Sequence, residues 1–128
     1  MENQVKRTER GWPGHFCGAH KCMFHLNTLL EYNGQKVVVS TVGRWLLNDD
    51  KEFTTIGCNR HFETMAFMAK DGDKYNDADF CKTVFFSSNW QLPEPDMEIE
   101  ANGMHENVVK EITGYLLAGT LKYKEEYL

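Results

Sequence analysis

The stretch His15-Phe16-Cys17-Gly18-Ala19-His20-Lys21-Cys22-Met23-Phe24-His25 reads His-x-Cys-x-x-His-x-Cys-x-x-His and gathers three of the chain's five histidines with two of its four cysteines. Thiolate and imidazole are the donors that tetrahedral zinc takes. On a straight strand, side chains alternate, so His15 and Cys17 point to one face and His20 and Cys22 to the other, and four ligands do not converge. A hairpin loop at Gly18 to Lys21 would set Cys17 opposite Cys22 and His15 opposite Phe24. Two thiols and one imidazole then share a face, and His20, His61 or His105 would have to complete a zinc site. The spacing matches no standard zinc finger, and no Cys-x-x-Cys is present. The expectation is therefore a core hairpin whose cysteines are small buried hydrophobes, with no cofactor. A zinc site on His15, Cys17 and Cys22 is the alternative. A thiolate of Cys17 or Cys22 beside His15 would be a nucleophile, but no oxyanion hole accompanies it.

Other residues with chemistry are more scattered. His61 and Glu63 would share one strand face, which is expected to be solvated. The run beginning at Asp71 starts like a calcium loop but has Asn76 where that loop needs Gly and Lys82 where it needs Glu. His105 falls near the apolar face of a C-terminal helix beside Val109 and Ile112. It is read as a core-margin histidine bonding a backbone group, or as a titratable group aimed at a pocket. Trp12, Trp45 and Trp90 are expected as core or rim anchors. An exposed Trp12 or Trp45 beside Arg44 or Arg60 would stack on a base or anchor a partner protein.

The elements that must position these residues are strands first and a helix last. His15 to Glu31 reads as β, with Asn33-Gly34 as a type I′ hairpin turn. Lys36 to Val42 is β-branched almost throughout and is the clearest strand. Turns are expected at Asn48-Asp49-Asp50 and Asp71-Gly72-Asp73. Further strands are expected at Phe53 to Cys58, Arg60 to Ala69 and Cys81 to Ser87, the second of these apolar on both faces and so central. After Asn102, read as an N-cap, apolar residues recur at spacings of three and four from Met104 to Gly119. Glu106 and Lys110 form an i,i+4 pair on the outer side of this helix. The fold class that follows is α+β: an antiparallel sheet of five or six strands with one main C-terminal helix packed on one face. Residues 1–128 make a single domain, with 1–10 read as an arm and 120–128 as a tail.

Composition narrows the function classes. A hydrophobic fraction of 41% supports a packed interior. No apolar run reaches the roughly 18 residues of a membrane span, and the charged N-terminus lacks the apolar region of a secretory signal, so a cytoplasmic protein is expected. The net charge of −5, with a basic cluster of only Lys6, Arg7 and Arg10, does not favour direct nucleic-acid binding.

Five blocks carry a resemblance: Gly11-Trp12-Pro13-Gly14-His15-Phe16, Cys22-x-Phe24-x-x-Asn27-Thr28-Leu29-Leu30, Val38 to Gly43, Glu63-Thr64-Met65-x-Phe67, and Met104-His105-Glu106-x-Val108-Val109. Together they resemble a family of small proteins encoded by phages and prophages, over the span from Gly11 to about Val109. That family's pattern has Arg in place of His25 and requires His15 and Cys22, but neither Cys17 nor His20. It carries no settled activity, so the resemblance implies a setting: the cytoplasm of a host cell. Small phage accessory proteins often neutralise host defence. By that analogy the expected function is a binding protein that inhibits or sequesters a host factor without turnover, its partner a host protein or a signalling nucleotide. Trp12, His15, Asn27, Arg44, Arg60 and His105 are the candidate binding residues. The alternatives are a small metal- or histidine-dependent enzyme acting on nucleotides or nucleic acid, and a virion assembly protein that forms a homo-oligomer.

Overall fold

Seven consecutive residues, Val37 to Gly43, are all buried, although side chains alternate across a strand. A strand buried on both faces must lie inside a sheet that is covered on both sides. The computed structural model, which describes residues 4–10, 22–47, 52–54, 61–94 and 96–125, places this strand, β3 (Gln35–Leu47), between β2 (Cys22–Tyr32) and β5 (Phe62–Ala69). The sheet extends outward through β1 (Lys6–Arg10) beyond β2. On the other side it continues through β6 (Ala78–Val84) and β8 (Tyr123–Glu125), giving the order β1-β2-β3-β5-β6-β8. Short strands β4 (Glu52–Thr54) and β7 (Gln91–Leu92) pair with β3 and β5. Every pairing is antiparallel. Among the described residues one helix, α1 (Glu98–Ala118), packs on one face, so the α+β architecture expected from the strand and helix periodicities is the one observed.

The β2–β3 hairpin turns where a type I′ turn demands it. Asn33 and Gly34 both adopt positive φ, 50° and 82°, conformations that asparagine tolerates and glycine adopts freely. Segments expected as arm and tail instead contribute strands: Lys6 to Arg10 pair residue by residue with Glu31 to Asn27, and Tyr123 to Glu125 pair with β6. β6 begins three residues earlier than its apolar run suggests. A register slip against β5 between Phe67 and Ala69 brings Ala78 into the sheet, and residues Ser87 and Ser88 turn away to bond Glu111. The turn expected at Asn48-Asp49-Asp50 lies outside the described residues.

Helix α1 starts at Glu98, ahead of the expected N-cap Asn102, and Met97 occupies the cap without a side-chain bond. Glu98 and Glu100 in the first turn favour the helix's positive end. At the other end Gly119 takes the left-handed conformation (φ 71°). Its N–H bonds Leu116 O and that of Thr120 bonds Tyr115 O, which stops the helix. Ala101, Met104, His105, Val108, Val109, Ile112 and Leu116 form the buried stripe. Glu106 does not serve mainly as the expected partner of Lys110: both its oxygens take bonds from the Arg7 guanidinium across to β1.

Within α1, a Cβ placed on Gly114 meets nothing within 4 Å. Gly114→Ala should therefore raise stability by about 0.5–1 kcal/mol, because the unfolded chain loses freedom and no neighbour is crowded. Urea unfolding checks this, and a lower midpoint would contradict it.

Candidate functional site

On the helix-facing side, the apolar contacts divide into two clusters. Leu30, Val37, Val39, Ala66 and Val84 meet Val108, Val109, Ile112 and Leu116. Further along, Phe62 and Leu92 meet Ala101 and Met104. Between them three neighbouring strands each contribute a threonine, Thr28 from β2, Thr41 from β3 and Thr64 from β5, all without exposure. Thr41 and Thr64 are direct cross-strand partners, and Thr28 lies beside Val39, two residues along the same face from Thr41. His105 descends from α1 into this polar row with 1% of its surface exposed.

Each hydroxyl has one proton, and that fixes the direction of every bond. Thr28 Oγ1 donates to the Glu9 carboxylate at 2.7 Å, so it can only accept from His105 Nε2, 2.8 Å away. Nε2 therefore carries the imidazole proton. The bare Nδ1 accepts from Thr41 Oγ1 at 2.7 Å, which leaves Thr41 to accept from Thr64 Oγ1 at 2.6 Å. The chain of donation runs Thr64, Thr41, His105, Thr28, Glu9. Glu9 is held in turn by Arg7, whose guanidinium also grips Glu106 of α1 at 2.6 and 2.8 Å.

This arrangement suits a neutral imidazole. Burial pushes His105 down to about 4, against the pull of the Glu106 and Glu9 carboxylates, while the Arg7 charge adds to the lowering. Bonds from Arg7 and Thr28 hold Glu9 below the ordinary carboxylate range despite burial, and the Arg7 bond does the same for Glu106. The sequence reading foresaw a buried titratable group here but paired it with a backbone group. Its partners are hydroxyls, which inward-facing threonines on Val-rich strands make available.

Asn27, the next residue along β2, faces the opposite side of the sheet. Its Oδ1 accepts from Arg10 Nε at 2.8 Å, while Arg10 also reaches the carbonyls of Tyr75 and Asn76. Asn27 and His105 are thus not brought together. The second face is buried too: Val38 and Val42 are fully covered, and Glu63, expected on a solvated face with His61, is only 7% exposed. β5 is central, so both of its faces are covered. Of the other candidates, Trp12, His15, Cys17 and Arg60 lie outside the described residues, as does the proposed turn from Gly18 to Lys21. Arg44 lies in β3, and Cys22 of β2 is the cross-strand partner of Trp45. Among the described residues no group of three or more His, Cys, Asp or Glu is arranged to hold a metal.

A second polar cluster escaped the sequence reading. The Glu111 carboxylate accepts from the backbone N–H and the hydroxyl of both Ser87 and Ser88, and from the Tyr115 hydroxyl. Burial pushes this carboxyl up, but the five donors prevail and hold it at about 2. They pin the segment after β6 to the helix flank and form one wall of a groove of about 430 Å³. That groove is lined by Phe85, Phe86, Ser87, Tyr115, Thr120 and Lys122. No sequence periodicity marks Glu111, because it sits on the margin of the helix's buried stripe.

No protein family, curated protein or solved structure matches this chain. No helix among the described residues is long and apolar enough to cross a membrane.

Proposed function

We propose that this chain is a phage-derived binding protein that inhibits or sequesters a host factor without turning it over. The observation that carries this reading is a set of half-exposed aromatic side chains: Tyr75 at 63%, Phe80 at 55%, Phe85 at 54%, Trp90 at 44% and Tyr123 at 41% exposure. Large aromatic side chains are the residues that most often anchor a partner protein, and their exposed area is costly in water. His105 supports the same reading, because both of its ring nitrogens are already bonded to threonines and serve to join α1 to the sheet. The phage setting rests on the resemblance of the five sequence blocks. Expected partners are a host protein, capped at its surface, or a signalling nucleotide.

Affinity capture from host lysate, with mass spectrometry of both proteins and nucleotides, tests the reading. One protein or nucleotide recovered in stoichiometric amount is the expected result. Catalytic turnover of a nucleotide or nucleic acid, abolished by His15→Ala in a folded protein, would overturn it.

A further inference from the structure

Two hollows meet along one flank of α1. The first, the groove of about 430 Å³, is walled by Phe85, Phe86 and Tyr115, with Thr120 and Lys122 at its rim. The second, of about 550 Å³, is floored by Gly114 and Ala118 and edged by Asn89, Asn107 and Lys110. Tyr115 and Thr120 line both, so the two form one trough. Each volume falls in the range of about 300–1,000 Å³ that small-molecule sites occupy.

The trough is held in shape. Tyr115 and Phe86 pack against the core beneath the helix, and the Tyr115 hydroxyl donates to Glu111. The same carboxylate takes the N–H groups of Ser87 and Ser88, which fixes the segment that forms the opposite wall. Phe85 stays 54% exposed beside these rings, and a flat ring laid on it would remove apolar surface of both from water. The far end has different chemistry. Lys110 stands five residues before Tyr115, roughly 7–8 Å along the helix axis. Of the carboxylates beside it on α1, Glu106 has both oxygens bonded by Arg7, and Glu111 already accepts from Ser87, Ser88 and Tyr115. Glu125, farther along β8 than Lys122, lies 3.8 Å from Lys82.

An aromatic compartment, a pair of amides and a cation follow one another along the trough, in the order of base, sugar and phosphate in a nucleotide. We infer that the trough binds a purine nucleoside monophosphate. The base lies against Phe85, Phe86 and Tyr115, the ribose crosses Gly114 between Asn89 and Asn107, and the phosphate meets Lys110. Stacking alone accepts any base, because every base has a π-face. Lys122, on the rim of the aromatic groove, adds a donor for N7, an acceptor that purines carry and pyrimidines lack. One phosphate needs one cation, so the net charge of −5 that disfavours nucleic acid does not oppose a single nucleotide. The inference rests on the reading of the chain as a binding protein and names the class of its small-molecule partner.

Calorimetric titration of the full chain with AMP, GMP, CMP and UMP, and with adenosine, tests it. AMP and GMP should bind several-fold more tightly than CMP and UMP, and adenosine should bind about tenfold more weakly than AMP. Phe85→Ala and Lys110→Ala should each weaken AMP binding by about tenfold. Gly114→Leu should abolish it. A Cβ at position 114 meets nothing within 4 Å and leucine favours the helix, so the variant folds while its side chain fills the floor of the trough. Urea midpoints verify that the three variants are folded. The inference is overturned if none of the four nucleotides binds at about 1 mM, if adenosine binds as well as AMP, or if the folded variants bind AMP as the wild type does. A host protein captured by a chain that binds none of these nucleotides would overturn the trough assignment while leaving the binding-protein reading in place. Turnover of a bound nucleotide would do the reverse, keeping the site and overturning sequestration.

Discussion

From about pH 8 to about pH 5 the protein is expected to lose about 2 kcal/mol of stability through His105 alone, with the loss levelling near 3 kcal/mol by about pH 4. In the folded chain, burial holds this imidazole at about 4, against 6.5 for an ordinary histidine. Between those values the unfolded chain binds the proton and the folded chain does not, so stability rises with pH across the window and is complete above it. The carboxylates held low by their donors, Glu9, Glu106 and Glu111, contribute in the same direction but only below the ordinary carboxylate range. Above pH 5 the difference between wild type and a His105 variant therefore isolates this histidine. Urea unfolding of wild type and His105→Gln at several pH values measures the effect. The variant should be less stable at neutral pH by about 1–3 kcal/mol, since a buried threonine hydroxyl loses its partner, and the difference between the two proteins should narrow by about 2 kcal/mol from about pH 8 to about pH 5. Parallel profiles for the two proteins would show that His105 is not the neutral, desolvated group described above. The same measurement bears on the direction of donation: a protonated His105 must donate from Nδ1, which reverses the hydroxyls of Thr41 and Thr64.

The parts of this structure legible in the sequence are those set by local patterning. The Val37-to-Val42 run, the Asn33-Gly34 turn and the recurrence from Met104 to Leu116 each carry their conformation in a few adjacent residues, and each appears where the pattern placed it. His105 was legible as a buried histidine because helix period puts it beside Val109 and Ile112. Its partners were not legible: Thr28, Thr41 and Thr64 come from three strands, and only register brings them together. Charge misled the reading of β1. Lys6 to Arg10 looks like a solvated arm, but Arg7 and Glu9 alternate inward to Glu106 and Thr28 while Arg10 turns to Asn27. Glu63 misled in the opposite way: Phe62, Thr64, Ala66 and Met68 against Met65 and Phe67 already mark a strand apolar on both faces, so a carboxylate on either face of it is covered rather than solvated.

A methyl group at position 43 is expected to cost about 3 kcal/mol, more than most single-atom additions to a core. Gly43 lies in β3 directly between Phe24 of β2 and Phe62 of β5. The two rings meet edge to face across it, with centroids 5.4 Å apart and planes at 89°. That contact exists because glycine leaves the space above its backbone vacant for aromatic neighbours. A Cβ built there overlaps the Phe62 ring and comes within 2.7 Å of the His61 carbonyl oxygen, so ring and backbone must both move. Phe62 is fully buried against Leu92, Ala101 and Met104, and the ring has no vacancy to retreat into. Gly43→Ala should therefore lower the urea midpoint markedly. Phe62→Leu added to it should restore only part of the loss, because the carbonyl contact remains. The displacement should also reach the polar row: Thr41 precedes Gly43 by two residues and Thr64 follows Phe62 by two, on the same face. Loosening their bond to His105 admits water, and the imidazole should titrate closer to the ordinary 6.5 in the variant by proton NMR. A Gly43→Ala protein as stable as wild type, with His105 still titrating near 4, would mean that the aromatic row does not hold β2, β3 and β5 in the register that assembles the threonines around the histidine.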